Sequence, residues 1–480
     1  MTRDMHRILP PFGNPVTTNT LDRSNNLEDV EEKLAAAEIL ISKWDTNKSS
    51  KMLFQSNAEE IRVYMDSVEN LQRLMEHLSA GGTNAAQLVR AQQLMKLSMA
   101  RLQNEFHKIM LSNSEPIDPD RESSARPSSC SSTEDSITTS TCSDGEDDRS
   151  SDCSSSCSST DRACEFDMVP LDAVVDLRNI AQRMAKNGYA RECVRVFALT
   201  RKSVVEESLY NLGVEKVKLN DVRKMGWKVL DEKIKKWIYA AKISIRILFA
   251  REKRLCVDVF EGLDKMRDAC FAEIAKDRTA RLLSFAEAVA ATSRAPERMF
   301  RVLDLYEALT DLMPDIEEIY SQESGRSVHE QANRILARLG EAARRILTEF
   351  ERAIEKEKSK APVAGGTVHP LTRYVMNYLS FLSDYKETLV NVITDAPGEL
   401  PDKDLNDPSA PLSIRLGWTV FHMLCTLDKI SDLYKDASLS HLFLMNNRYY
   451  VLQKVNGSEL KYILGEEWLR NIGKAVRREL

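Results

Sequence analysis

The chain has 480 residues and a formal net charge of −6, from 67 basic and 73 acidic side chains, with 42% hydrophobic and 29% charged residues. Its 17 Gly and 15 Pro are roughly half the usual share, a mix that favours long helices and argues against collagen-like, small disulfide-rich and mainly β architectures. The length allows two or more folding units with sizeable cores.

Residues 1–25 carry Pro10, Pro11, Gly13 and Pro15 without periodicity and are expected to form a disordered arm. From about Asn26, Leu27, Val30, Leu34, Ala37, Ile41 and Trp44 recur at spacings of three and four, the stripe of an amphipathic helix. The pattern repeats over 52–78 and 84–111, with Gly81-Gly82 between them, so 26–113 reads as an N-terminal helical segment.

The composition then changes. Residues 114–163 hold 12 acidic and 4 basic residues, 17 Ser and 5 Thr, with almost no large apolar side chains, and are expected to be an acidic, disordered linker. Its net charge of −8 leaves +2 for the rest, which speaks against a nucleic-acid partner. The tract also holds five of the nine cysteines (Cys130, Cys142, Cys153, Cys157 and Cys164 at its edge); Cys153-Ser-Ser-Ser-Cys157 lacks the CxxC spacing of a metal knuckle, and free thiols in a reducing compartment are the expectation. Ser143 and Ser150 stand beside acidic residues, where phosphorylation and an unmodified spacer are both open readings.

The helical period returns over 164–480. Helices are expected at 171–187, 190–211, 219–259, 263–292, 296–320, 328–358, 370–393, 411–434 and 439–455, with a shorter one from Glu466. Long helices joined by short connections read as an all-α, extended rod of stacked antiparallel helical bundles. Within 219–259, Leu230, Ile234, Trp237, Ala241, Ile245 and Leu248 form one apolar line, which marks Trp237 as a core residue. No apolar run reaches the ~18 to 20 residues of a membrane span, since 238–250 is interrupted by Lys242 and Arg246. The start has no apolar stretch suited to a secretory signal, and a cytoplasmic chain is expected.

Enzyme motifs are missing: there is no GxxxxGK[ST], GxGxxG or GxSxG string. His329-Glu330 opens like a zincin helix, but position 333 is Asn where the second histidine would stand. No catalytic, metal or cofactor site is assigned, and no cofactor is expected. The one candidate surface is basic. Residues 216–254 hold 13 basic and 4 acidic residues, and Lys216, Lys218, Arg223, Lys224, Lys228, Lys233, Lys235 and Lys236 crowd its first half. Such a face could draw an anionic lipid surface or an acidic partner. The plainer reading is a solvated outer face paired with Glu206, Glu207 and Glu215.

Four strings carry a family resemblance. GYARECVRVFALTRKSVVEESLYNLGVEKVKLNDVRKMGWKVLDEKIKKWIYAAKISIRILFAREKRLC (188–256), PERMFRVLDLYEALTDLMPDIEEIY (296–320), GGTVHPLTRYVMNYLSFLSDY (365–385) and SHLFLMNNRYYVLQKVNGSELKYILGEEWLR (440–470) resemble the plant-type Exo-seventy subunit of the exocyst. The likeness implies a rod of helical bundles with no catalysis. It implies a role with other exocyst subunits in tethering secretory vesicles to the plasma membrane before fusion, at the periphery of that membrane or of vesicles. A helical adaptor in immunity- or autophagy-related traffic outside the exocyst is the alternative. Family members are similar in reading anionic phosphoinositides through a basic patch in the last bundle. Here the chain runs NIGKAVRREL after Arg470, so the last bundle is expected to be missing, lipid binding to be weakened, and no lipid-binding residue is carried over.

Overall fold

The computed structural model describes residues 18–45, 51–81, 85–117, 169–292, 295–357, 361–394 and 410–479, with no side-chain placement for 18–29, 81 and 479. Among the described residues there is no strand. The helices are α1 (Thr18–Lys43), α2 (Ala58–Gly81), α3 (Ala85–Ser112), α4 (Leu171–Lys186), α5 (Ala190–Asn211), α6 (Leu219–Lys224), α7 (Trp227–Ile243), α8 (Ala250–Val259), α9 (Asp264–Thr292), α10 (Met299–Ile319), α11 (Arg326–Glu355), α12 (Pro370–Ser383), α13 (Lys386–Thr394), α14 (Ala410–Ser431), α15 (Ala437–Asn456), α16 (Leu460–Leu464) and α17 (Glu466–Glu479). A π-helical turn, Ser244–Phe249, joins α7 to α8.

The chain forms two compact units. The first comprises Met1–Pro116, Gly145–Val204 and Glu252–Ile274. There the stripe expected on α1 is buried at Val30, Leu34, Ala37, Ile41 and Trp44 against α2 and α3, although α1 itself begins at Thr18, inside the stretch expected to be an arm. Between α1 and α2, the backbone N–H of Phe54 donates to Glu105 at 3.2 Å, and Glu105 is paired with Arg101 at 2.6 Å. Both members of that pair are buried, so neither charge goes without a partner. A second buried pair, Arg201 with Glu252, ties α5 to α8, with Arg201 Nε 2.9 Å from the carboxylate. Phe197 stacks edge-on to Phe260, 5.0 Å between ring centres.

The second unit comprises Ile117–Asp144, Val205–Arg251 and Ala275–Leu480. Its pattern is sharpest in α10 and α11, adjacent helices joined by a short turn and packed along their lengths. On α11 Val328, Ala332, Ile335, Leu339, Ala342, Ile346, Phe350 and Ile354 are all buried. The turn admits only glycine at 325, because a Cβ there would lie 2.7 Å from Tyr320 Cβ and its carbonyl oxygen. Helix α12 starts where His369 caps it, its Nδ1 accepting from the N–H of Leu371 at 3.0 Å. Asn447 of α15 holds the same corner: its buried Oδ1 accepts from the N–H of His369 (2.9 Å) and the hydroxyl of Thr372 (2.7 Å), while its Nδ2 donates to the carbonyl of Phe443 (2.7 Å).

Two expected helices are broken. The run 219–259 is interrupted at Met225-Gly226, where Met225 is extended and Gly226 begins a new helix; glycine gains less from a helix than any residue but proline. The run 370–393 parts near Asp384, and Tyr385 turns its hydroxyl to Asp304 of α10 at 2.7 Å while its ring meets Phe300 at 6.1 Å. Of the expected linker, 118–163 lies outside the described residues, as do 1–17 of the expected arm. Positions 114–117 are described, and Ile117 is buried, with its N–H donating to Ser208 Oγ at 2.9 Å.

Candidate functional site

The basic face belongs to the second unit. Helix α5 ends in a left-handed residue, Gly213 (φ 76°), so that the N–H of Val214 reaches back to the carbonyl of Leu209 at 2.9 Å and closes the helix. The chain then runs through Lys216 and Lys218 into α6, whose start is held by Asp221 accepting from the N–H of Lys218 at 3.2 Å. Helix α6 carries Arg223 and Lys224, and α7 carries Lys228, Lys233, Lys235 and Lys236. The opposite side of α7 is core: Leu230, Ile234, Trp237 and Ala241, followed by Ile245 and Leu248, are all buried. Trp237 is 6% exposed, and its indole N–H donates to the carbonyl of Leu282 at 2.8 Å.

The structure divides the eight candidate cations. Lys233 pairs with Glu215 at 2.7 Å, and its ammonium holds that carboxyl below the usual carboxylate range. Lys235 pairs with Asp231 at 2.9 Å. Lys236 and Lys216 act at longer range, on Glu215 and Glu206 respectively; Glu206 is engaged mainly by Arg281 at 2.9 Å. Lys218, Arg223, Lys224 and Lys228 are exposed and have no carboxylate partner among the described residues. Further along, Lys242 and Arg246 are neutralised by Asp311 and Asp315 of α10, at 3.5, 3.1 and 2.7 Å. Among the described residues, the α6 end of the run therefore keeps four exposed cations without an ion pair.

Sequence reading missed the apolar side chains among these cations. Leu219, Trp227 and Val229 are 42%, 38% and 53% exposed, interleaved with Lys218, Arg223, Lys224 and Lys228. Trp227 stands three residues before Leu230 and continues the spacing of the buried stripe, so its exposure at the first residue of α7 could not be read from periodicity. A cavity of about 170 Å³ also lies beside the 213–217 turn, with Trp237 and Phe285 in its wall and Lys233 and Lys236 among its lining residues.

Other chemistry is sparse among the described residues. No cluster of His, Cys, Asp and Glu could hold a metal ion. His329 instead meets Glu317 at 3.0 Å and Asn333 at 3.3 Å. The four described cysteines are free, and burial pushes the Cys193 thiol up to about 12, away from the reactive thiolate. No described helix is long and apolar enough to cross a membrane.

Among its described residues this is an all-helical protein of packed amphipathic helices with a solvated basic face. Two family models match it: residues 235–480 match the C-terminal model of the Exo70 exocyst complex subunit, and residues 33–112 match the N-terminal model of the exocyst complex component Exo70. The chain belongs to the Exo70 family of exocyst subunits. It is 31% identical over 455 residues to exocyst complex component EXO70A1 of Arabidopsis thaliana, covering 94% of this chain and 69% of that protein. It is 39% identical over 319 residues to EXO70B1 of the same plant, covering 66% and 50% respectively. The chain thus spans between half and about seven tenths of these relatives. A solved structure of S. cerevisiae Exo70 shares the fold, with a TM-score of 0.65 at 14% identity over 94% of this chain and 78% of that one.

Proposed function

We propose that this chain is a non-catalytic exocyst subunit that helps tether secretory vesicles to the plasma membrane before fusion. It works by binding other exocyst subunits, from the cytoplasm, at the periphery of the plasma membrane or of vesicles. The observation that carries this reading is the pair of family matches, at 33–112 and 235–480, on a fold made only of helices in its described part. Affinity purification of the chain from its native cells tests it. Recovery of other exocyst subunits is expected; their absence, with a different set of trafficking proteins in their place, would turn the reading to the adaptor class.

The basic face is the proposed contact with an anionic, phosphoinositide-bearing membrane. Four unpaired cations beside exposed Trp227, Leu219 and Val229 suit an interface in which ammonium and guanidinium groups meet phosphates and the apolar groups enter the headgroup layer. At about 1 kcal/mol for each cation near such a surface, the four supply about 4 kcal/mol in total. Flotation with phosphoinositide vesicles should therefore fall sharply when Lys218, Arg223, Lys224 and Lys228 are all replaced by Ala. Unchanged flotation would remove this face from membrane contact.

A further inference from the structure

The acidic tract leaves the described chain at the end of α5, the helix that leads into this face. Ile117, the last described residue before that tract, is buried and held at both of its backbone groups by the end of α5: its N–H donates to Ser208 Oγ at 2.9 Å, and its carbonyl accepts from Asn211 Nδ2 at 3.4 Å. Asn211 is the last residue of α5, and the chain reaches Lys216 and Lys218 within seven residues of it. The tract 118–163 therefore starts at the end of α5, seven residues of chain from Lys218. It contains 11 acidic and 4 basic residues, a net charge of −7, and 16 Ser. Lys218, Arg223, Lys224 and Lys228, with no carboxylate of their own among the described residues, offer the complementary sign.

We propose that the α6–α7 basic face is a docking surface for the chain's own acidic tract, 118–163, and that this tract competes with anionic membrane for the four unpaired cations. Attachment at Ile117 makes the encounter intramolecular, so the tract's local concentration at the face does not depend on how much protein is present. The attraction is between exposed charges and is screened by salt, with a Debye length of ~10 Å at 0.1 M falling to ~3 Å at 1 M. Phosphate added to the tract's serines would raise its charge and strengthen the docking. The competition rests on the membrane reading of this face given above; the docking itself does not.

Two measurements on the full chain separate the two. Carbodiimide joins carboxylates to lysines that touch them. Treatment at low salt is expected to link acidic residues of 118–163 to Lys218, Lys224 or Lys228 within one chain, as shown by mixing isotopically labelled and unlabelled protein, and about 1 M NaCl should abolish the links. Links only elsewhere, none at all, or only between two copies would overturn the docking. The second measurement is vesicle flotation of a chain whose 11 tract carboxylates are changed to the amides. Its binding should rise about fivefold for every cation uncovered. Equal flotation of the two chains, with binding still lost in the Lys218, Arg223, Lys224 and Lys228 alanine variant, would overturn the competition and leave the membrane reading standing. If neither chain floats, the membrane reading falls with the competition, and the cross-links alone decide the docking.

Discussion

Replacing Trp237 with Ala tests the core of the second unit at its most informative point. The side chain is 6% exposed, lies 6.1 Å from the ring of Phe285, and spends its only polar hydrogen on the carbonyl of Leu282 in α9. A tryptophan buries roughly 200 Å², and at about 25 cal/mol per Å² this gives about 5 kcal/mol. A compact unfolded state lowers that by about 10–40%, to roughly 3–4.5 kcal/mol. The large-to-small rule gives about 3–5 kcal/mol, so the two routes agree. Trp237→Phe keeps an aromatic ring and loses the donor, and should cost about 1–3 kcal/mol. Lys235→Ala, on the solvated side of the same helix, should stay within about 0.5 kcal/mol despite its ion pair with Asp231. The assay is native-state hydrogen exchange read peptide by peptide, because two units need not unfold as one. Amides of α7 and α9 should exchange at least about a hundredfold faster in Trp237→Ala, since about 1.4 kcal/mol is a factor of ten. Equal, small effects in Trp237→Ala and Lys235→Ala would refute the assignment of this helix face to the core.

Three further outcomes follow from buried polar contacts. Glu252→Gln leaves the Arg201 guanidinium buried without its counter-charge and should destabilise the first unit by about 3–5 kcal/mol; the double change Arg201→Met, Glu252→Leu should recover much of that in urea unfolding, and a double variant worse than the single one would contradict it. Asn447→Leu removes the acceptor of two donors and should loosen the start of α12, at about 1–3 kcal/mol for each group left unpaired, visible as faster exchange in 367–373; unchanged exchange there would show the contacts to be dispensable. Burial lowers the His369 imidazole below its ordinary 6.5, so the unfolded chain binds the proton first. Stability is then fully present above about pH 6.5 and declines as pH falls below it, when the protonated ring can no longer accept from the N–H of Leu371. His369→Asn keeps a capping side chain without the titration, and its melting temperature should lose that part of the slope between about pH 7 and 5; an unaltered slope would assign the effect to other groups.

The sequence by itself determined the helices and the faces they bury. Val30, Leu34, Ala37, Ile41 and Trp44 on α1, and Leu230, Ile234, Trp237, Ala241, Ile245 and Leu248 on α7 and the turn after it, were legible because a ~3.6-residue period is a property of the chain's own spacing. The long family-like strings were legible for the same reason, being contiguous. Tertiary structure decided where long helices part: Tyr385 leaves the helical line toward Asp304, 81 positions away. It also sorted the basic run. Arg246 finds Asp315, 69 positions on, Lys233 finds Glu215, 18 positions back on the other side of α6 in the chain, and Lys218, Arg223, Lys224 and Lys228 are left unpaired among the described residues. Charge count is additive along a sequence, whereas pairing depends on which distant helix lies within about 4 Å. The same holds for Ile117. Set in an acidic, serine-rich stretch, it carries no periodic signal, and only the folded end of α5 gives it a buried place and two hydrogen bonds, and so fixes where the acidic tract begins its path.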